Sequence, residues 1–212
     1  MSAVEAKYPA PTNGVRRIIA GHSSGRFGAL RLGSSRQQLF DAVIALSPDS
    51  DFPTTHLPLV KIAVVTNTPL AKIEKIASGT MSVPRDEDLD YAIGLSAAYA
   101  PRGTAYPGEF EWLYDTRGNF REDIWQRWLE NDPLTIMRKN PAAFADRQAI
   151  YLDGAAKDEF SANIGARKIL RFYNPVRRAA RFMNRRATMP IISASDCNVC
   201  LEWVFNRPVK DI

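Results

Sequence analysis

The segment Val15 to Leu30 reads Val-Arg-Arg-Ile-Ile-Ala-Gly-His-Ser-Ser-Gly-Arg-Phe-Gly-Ala-Leu. Its first six residues are typical of a short strand, and a helix-compatible run follows Gly21 to Gly25. That pentapeptide fits Gly-x-Ser-x-Gly, a sharp strand-to-helix turn that exposes a serine hydroxyl. A Gly/Ser-rich loop can match the pattern by chance, but the strand–turn–helix setting favours the turn. Ser23 is therefore the candidate nucleophile, and the backbone N–H of Ser24 is a candidate oxyanion-hole donor.

The chemistry of such a turn explains its glycines. The serine sits on a strained backbone, and side chains two residues to either side are expected to collide with the neighbouring strand and helix. The N-terminus of the following helix favours negative charge as it develops on a reacting carbonyl oxygen.

Strand and helix patterns alternate along the rest of the chain. Residues 41–47 are apolar and end in Pro48-Asp49-Ser50, which predicts a buried strand of a parallel sheet. Residues 60–66 fit a strand or part of a helix, and residues 86–147 are mostly helical in character. A third strand is predicted at 149–153, followed by a helix over 159–171. This order predicts an α/β fold with a mostly parallel sheet flanked by helices.

Composition excludes several classes of protein. The 212 residues are 45% hydrophobic, and the 12 glycines and 14 prolines have no period, which argues against disordered and collagen-like chains. No run of apolar residues is long enough to span a membrane, so no membrane partner is expected. The N-terminus lacks a basic flank followed by an apolar run, so a cytoplasmic location is expected.

The net charge of +5 is concentrated at one end. Residues 1–170 carry 20 basic and 20 acidic side chains, whereas residues 171–212 carry 8 and 3. Both cysteines, Cys197 and Cys200, lie in the basic part, and both histidines lie before residue 57. Because the main body is electrically balanced, the excess charge is poor evidence that it binds nucleic acid.

A family resemblance emerges from several segments together. Residues Ile19 to Leu30, then Phe40-Asp41-Ala42-Val43 and Ser47-Pro48-Asp49, resemble the esterase D-type putative esterases of the α/β-hydrolase superfamily. Asn131 to Leu134, and Tyr151 to Gly154 leading to Lys157-Asp158-Glu159-Phe160, agree with it. That family includes S-formylglutathione hydrolases, feruloyl esterases, enterochelin-type esterases and mycolyltransferases. The resemblance covers about residues 8–170.

The resemblance implies a serine carboxylic-ester hydrolase that forms an acyl-enzyme on Ser23 and takes a small-molecule ester. It implies no cofactor and no metal. Asp158 matches the acid that orients the catalytic histidine, and the order serine then aspartate is that of α/β-hydrolases. Asp153 and Glu159 are weaker candidates for this acid, because Asp153 lies at a strand end and Glu159 suits a helix cap. Taken alone, Asp158 is equally compatible with a solvated loop carboxylate.

Three departures from the family pattern concern the site. Arg26 stands where the family has a glycine, and its side chain either crowds the mouth of the site or points to solvent. The strand before the turn begins within about twenty residues of Met1, whereas family members have further strands upstream. No histidine follows Asp158: His22 belongs to the turn itself, and His56 precedes Asp158, so a surface or packing role is expected for each.

The basic end interrupts the family pattern. We expect residues 1–170 to form a partial α/β-hydrolase domain and residues 171–212 to be a basic tail of non-family sequence. An abrupt change to Arg-rich, Cys-containing sequence is typical of a shifted reading frame, which would have replaced the histidine segment. A basic nucleic-acid-binding or membrane-binding arm is the second interpretation. A metal half-site at Cys197 and Cys200 is the third, because a lone C-x-x-C without further ligands is weak evidence for zinc.

These features leave three functional interpretations. The chain is an esterase by lineage, a non-catalytic hydrolase fragment because the histidine is missing, or a nucleic-acid-binding protein by virtue of its tail. The missing histidine favours the second for these 212 residues. From about Phe172 onward the sequence shows no helix or strand period that matches the body, and we expect these residues to pack loosely. The sequence leaves the acyl group, the alcohol and the oligomeric state open.

Overall fold

The computed structural model describes residues 6–8, 17–22, 24–65, 87–103, 110–115, 117–141, 149–158, 160–173 and 180–185. The elements follow in this order: β1 (Ile18–His22), α1 (Ser24–Ser35), a 3-10 turn (Gln37–Leu39), β2 (Ala42–Leu46), α2 (Phe52–Thr55), α3 (Leu57–Val65), α4 (Glu87–Tyr99), α5 (Glu122–Leu129), α6 (Pro133–Lys139), β3 (Ala149–Ala155), α7 (Ala162–Tyr173) and β4 (Ala180–Arg185).

The four described strands form one sheet in the order β1-β2-β3-β4, and every neighbouring pair is parallel. His22 lies opposite Leu46, and Leu46 lies opposite Asp153, so the strands end at a common edge. Parallel strands need crossover connections, and here the connections contain the helices. The predicted α/β fold with a parallel sheet flanked by helices is confirmed.

Alternating side chains of the central strands enter two different cores. Every residue of β2 and β3 is buried, as expected for strands inside a covered parallel sheet. One face packs against α1, α6 and α7 in a cluster of Ala29, Leu30, Val43, Ala45, Leu134, Met137, Ile150, Leu152 and Ile169. The alternate residues form a second cluster of Ala42, Ile44, Leu46, Ala149 and Tyr151.

A third core is largely aromatic and is built by helices α2 to α5 with the segment after α4. Its buried members include Phe52, Leu89, Tyr99, Phe110, Trp112, Leu113, Trp125 and Trp128. Phe27 of α1 joins this aromatic cluster, with its ring centroid 5.6 Å from that of Tyr99. Helix α1 therefore contacts the sheet core and the aromatic cluster together.

The structure fixes the type or the bounds of several helices predicted from the sequence. Residues 60–66, which fit either strand or helix, fall in helix α3 as far as Val65. In the described part of 86–147 there are three helices, and isolated bridges pair Pro101 with Phe110 and Tyr114 with Phe120 between α4 and α5. The helix predicted over 159–171 begins at Ala162 instead of residue 159. No helix among the described residues is long and apolar enough to cross a membrane.

The basic end contains a strand that the sequence pattern did not indicate. Ala180–Arg185 form β4, which pairs in parallel with β3, so the chain does contain a regular element beyond Phe172. Ladder hydrogen bonds use the backbone, and the outer strand of a sheet tolerates charged residues, which is why an Arg-rich composition does not exclude a strand here. Most of the basic end, including Cys197 and Cys200, lies outside the described residues. The division of the chain at residue 171 stays a prediction.

The packing around Gly21 leads to a stability prediction. A Cβ at Gly21 would lie 2.0 Å from the carbonyl oxygen of Gly25, so backbone would have to move. We expect Gly21→Ala to lower the free energy of unfolding by about 1–3 kcal/mol or more. Gly28→Ala is the matched control, because a Cβ there meets nothing within 4 Å in the middle of α1.

Urea unfolding of both variants measures the effect. Gly28→Ala is expected to be neutral or to stabilise by about 0.5–1 kcal/mol, since alanine favours the helix. Equal stabilities for Gly21→Ala and the parent chain would contradict the close approach of β1 and α1.

Candidate functional site

The strand–turn–helix setting of the pentapeptide is present in the structure. Strand β1 ends at His22 and helix α1 begins at Ser24, whose side chain is exposed. The two glycines are not equivalent, however. Gly21 has no room for a side chain, as expected, whereas a Cβ at Gly25 would meet none of the described residues outside its own helix within 4 Å. Ser23 itself lies outside the described residues, and its role stays a prediction.

The loops that follow the strands gather at one edge of the sheet. Residues after His22, Leu46 and Ala155 leave β1, β2 and β3 at their carboxyl ends, and parallel strands share that edge. Asp158 follows β3 by three residues, and Asp49 follows β2, the strand between β1 and β3. This edge is where an open α/β sheet presents its ligand site.

Asp158 holds the beginning of α7 with only one of its two carboxylate oxygens. Its Oδ1 accepts hydrogen bonds from the backbone N–H groups of Phe160 at 3.0 Å and Ala162 at 3.2 Å. Its Oδ2 is buried and has no hydrogen-bond partner among the described residues. The side chain thus has a fixed orientation and one buried acceptor still to satisfy.

Asp153, the weaker candidate acid, has a different position. It lies inside β3, is 1% exposed, and accepts a hydrogen bond from the backbone N–H of Ser47 at 2.7 Å through Oδ1. Ser47 has a left-handed backbone with φ 52°, so this contact holds the exit of β2. The other weaker candidate, Glu159, lies outside the described residues.

Arg26 forms a buried ion pair that sequence analysis missed. The residue is 2% exposed, which excludes the solvent-facing alternative for its side chain. One terminal nitrogen lies 3.1 Å from Oδ1 of Asp49, and the other donates to the carbonyl of Leu46 at 3.3 Å. Burial raises the pKa of Asp49, the adjacent Arg26 opposes the rise, and Asp158 adds to it. The partners lie 23 residues apart, and no local pattern signals the pair.

His56 is a packed core residue. It is 1% exposed, its ring centroid lies 4.4 Å from that of Phe52 with the planes tilted by 45°, and its Nδ1 lies 3.3 Å from the hydroxyl of Tyr91. Burial, with a smaller contribution from Arg26, lowers its pKa to about 3. The ring is therefore neutral near pH 7, in keeping with the expected packing role. His22, by contrast, is exposed at the end of β1.

Two half-buried aromatic rings lie beside Asp158. Phe160 donates its backbone N–H to the carboxylate, and its ring stacks on Tyr91 with centroids 5.6 Å apart and planes 26° apart. Burial raises the pKa of Tyr91 above its ordinary value, and Asp49 adds to the effect. Tyr91 therefore stays a neutral phenol. Nothing in the local sequence of α4 marks it as a neighbour of Asp158.

The comparison with protein families agrees with this arrangement. The family model described as Putative esterase matches residues 1–189. The chain belongs to this family. The matched residues include the turn around Ser23, Asp158 and the strand β4. A search of the curated proteins finds no match.

Nearly all of this chain is similar to part of several solved hydrolase structures. S-formylglutathione hydrolase FrmB from Staphylococcus aureus is 13% identical, with a TM-score of 0.48, over 96% of this chain and 59% of that one. FphF, a fluorophosphonate-binding serine hydrolase of the same organism, is 13% identical with a TM-score of 0.49, and the match covers 96% of this chain and 59% of FphF. A carboxyl esterase from Bacillus coagulans is 16% identical with a TM-score of 0.43, and the match covers 96% of this chain and 66% of the esterase. The chain thus spans 59% of the length of the two staphylococcal hydrolases.

The buried ion pair predicts a non-additive effect on stability. We expect Arg26→Met to lower the free energy of unfolding by about 3–5 kcal/mol, because it leaves the Asp49 carboxylate buried without its cation. Arg26→Met/Asp49→Asn is expected to recover at least half of that loss, since the unpaired charge is gone. A double-mutant cycle from urea unfolding measures the coupling, and purely additive losses would contradict the pair.

The neutral His56 predicts a loss of stability in acid. Its pKa is about 3 in the folded chain, against an ordinary 6.5, so between these values only the unfolded chain binds the proton. The contribution of the neutral His56 ring to the free energy of unfolding is complete above pH 6.5. It declines as the pH falls, by up to about 1.4 kcal/mol per pH unit. His56→Phe, which keeps a ring among Phe52 and Tyr99, removes this dependence.

Urea unfolding of both proteins between about pH 7 and pH 4.5 gives the comparison. The raised pKa values of Asp49 and Asp132 act in the opposite direction, but they are common to both proteins and cancel in the difference. Parallel stability curves would show that His56 takes up a proton in the folded state.

Proposed function

We propose that this chain carries the site of a serine carboxylic-ester hydrolase. Ser23 is the residue acylated, Asp158 is the acid of the site, and the backbone N–H of Ser24 is one oxyanion-hole donor. The observation that carries the proposal is the buried Oδ2 of Asp158, which has no partner within the described part of the chain and lies at the sheet edge where β1 ends. Membership of the Putative esterase family and the exclusion of any side chain at Gly21 support it.

The proposed reaction uses groups of known chemistry. The Ser23 hydroxyl loses its proton to a base and attacks the ester carbonyl, and the alcohol leaves with that proton. Water then hydrolyses the acyl-enzyme and restores the hydroxyl. Negative charge on the carbonyl oxygen is stabilised by backbone N–H groups at the start of α1, where the helix dipole is positive. The substrate class that follows is a small-molecule ester.

The proposed reaction needs a base that accepts the proton of the Ser23 hydroxyl. No histidine follows His56 in the 212 residues, and His56 is a buried ring with a pKa of about 3, which makes it a poor proton acceptor. Removing one member of a serine–histidine–aspartate triad costs several orders of magnitude in rate. This observation favours a second candidate, a family member that keeps the fold without turnover.

Hydrolysis of p-nitrophenyl acetate separates the two candidates. Without an added base, we expect the chain to hydrolyse this ester no faster than its Ser23→Ala variant, because nothing accepts the serine proton. With imidazole in the buffer as an external base, we expect the chain to become several-fold faster than Ser23→Ala under the same conditions. Ser24→Ala is the matched control and should keep this gain, since the proposed role of Ser24 uses its backbone N–H.

Three outcomes count against the proposal. No gain over Ser23→Ala with imidazole would support the non-catalytic candidate. If Ser24→Ala loses the imidazole-dependent hydrolysis as completely as Ser23→Ala does, the reacting hydroxyl is not that of Ser23 alone. Clear activity without imidazole that disappears in His56→Ala would identify His56 as the base and refute the argument from its burial.

A further inference from the structure

We infer that one face of the molecule is a docking surface for an anionic phospholipid bilayer. The surface consists of the outward sides of α1, α6 and α7, the three helices that share one core on one side of the sheet. This basic helical face carries Arg31, Arg138, Lys139 and Arg171, together with the exposed apolar side chains Leu32 and Ile164. Docking of this kind goes beyond the proposed ester hydrolysis and requires no part of it.

The first argument is the segregation of charge between the helices. No residue of α1, α6 or α7 is acidic, whereas each of these helices carries basic residues. By contrast, the first turn of α4 contains Glu87, Asp88 and Asp90, and that of α5 contains Glu122 and Asp123. The balanced charge of residues 1–170 is therefore an average over helices of opposite sign. A side of one sign attracts an extended surface of the other sign.

Helix α7 presents its basic residues away from the sheet. Ala166 and Ile169 are fully buried in the core, whereas Ile164, Arg167 and Arg171 are exposed. Residues three, four and seven apart lie on the same side of a helix, so the three exposed residues share one face. That face is opposite to the buried one, and it points outward from the helical layer.

The neighbouring helices extend this basic face. Helix α6 packs against both α1 and α7, and it ends in the exposed residues Arg138 and Lys139. Arg31 of α1 is accessible on the outer side of its helix. None of Arg31, Arg138, Lys139 and Arg171 forms an ion pair with another residue of the described ranges. Clusters of four or more basic residues on amphipathic helices are typical of surfaces that bind anionic lipids.

Two apolar side chains favour a lipid surface over a nucleic acid. Leu32 of α1 is 49% exposed, and Ile164 of α7 is 41% exposed. An aliphatic side chain gains free energy by entering the boundary of a bilayer, whereas the phosphates of a nucleic acid offer it no such burial. Among the side chains of these helices that the structure describes, no aromatic ring is exposed for a base to stack on.

Docking at a bilayer surface is compatible with the rest of the structure. It requires no helix that spans the membrane, and the described helices include none that could. The basic helical face covers one side of the sheet, whereas the candidate site lies at the edge where the strands end. The two regions therefore do not overlap.

Vesicle flotation with the purified full chain tests the inference. The vesicles consist of phosphatidylcholine alone, or of phosphatidylcholine with about 30% phosphatidylglycerol, an anionic lipid. We expect binding to the anionic vesicles in about 0.05 M salt and binding weaker by at least about tenfold in about 0.5 M salt, where the charges are screened. No binding to vesicles of phosphatidylcholine alone is expected.

Two double substitutions remove charge from the basic helical face. Arg138→Gln/Lys139→Gln and Arg31→Gln/Arg171→Gln are each expected to weaken binding to the anionic vesicles by at least about tenfold, because each removes two cations that face the lipid. Thermal unfolding shows whether each variant is folded. Because the two pairs lie on different helices, either one decides the matter if the other does not fold.

A matched control removes the same charge elsewhere. Lys61 and Arg117 are exposed and belong to none of the three helices, so Lys61→Gln/Arg117→Gln is expected to weaken binding by less than about threefold. Leu32→Ser/Ile164→Ser keeps every charge of the face and removes its apolar side chains. We expect this variant to bind the anionic vesicles about three- to tenfold more weakly than the parent chain.

Four results would overturn the inference. The first is no saturable binding to the anionic vesicles, and the second is equal binding to vesicles of phosphatidylcholine alone. The third is unchanged binding of both charge variants, which would assign the binding to another part of the chain, such as the basic end. The fourth is unchanged binding of Leu32→Ser/Ile164→Ser, and tighter binding to duplex DNA than to vesicles would then identify a nucleic acid as the partner. None of these substitutions lies in the proposed site, so the outcome is independent of Ser23-dependent hydrolysis.

Discussion

A single buried hydrogen bond places the loop after β2, and the candidate site depends on that loop. The backbone N–H of Asp51 donates to Oδ1 of Asp132 at 2.7 Å, 81 residues further along the chain. Asp132 also caps helix α6 through the N–H groups of Leu134 and Thr135. Its burial raises the pKa of its carboxyl group, and these hydrogen bonds oppose the rise. One carboxylate therefore starts a helix and fixes a distant loop.

The same loop is fixed from its other side by α7. Lys168 pairs with the carboxylate of Asp51, and a Cβ at Gly165 would lie 2.4 Å from the carbonyl oxygen of Ser50. Asp51 itself has a left-handed backbone, with φ 60°. Because the loop is held between α6 and α7, Asp49 faces Arg26 and His56 enters the aromatic cluster. The positions of Asp49 and His56 therefore depend on contacts made by other residues of the loop, Ser50 and Asp51.

The sequence predicted what depends on local pattern. The alternation of strands and helices and the strand–turn–helix junction around Gly21 follow from periodicity and turn residues. It could not predict contacts between residues far apart in the chain. The pairing of Arg26 with Asp49 and of His56 with Tyr91 depends on how helices lie across the sheet. Strand β4 was missed because its arginines masked a backbone pairing that needs no apolar pattern.

Helix α1 links the sheet core to the aromatic cluster through Phe27. On one side the helix buries Ala29 and Leu30 in the sheet core, and on the other Phe27 touches Phe52 and Tyr99 in the aromatic cluster. Neither core can open without exposing part of the same helix, so the two cores form one cooperative unit. Amide hydrogens of α1 and α4 should then exchange with solvent by a shared opening.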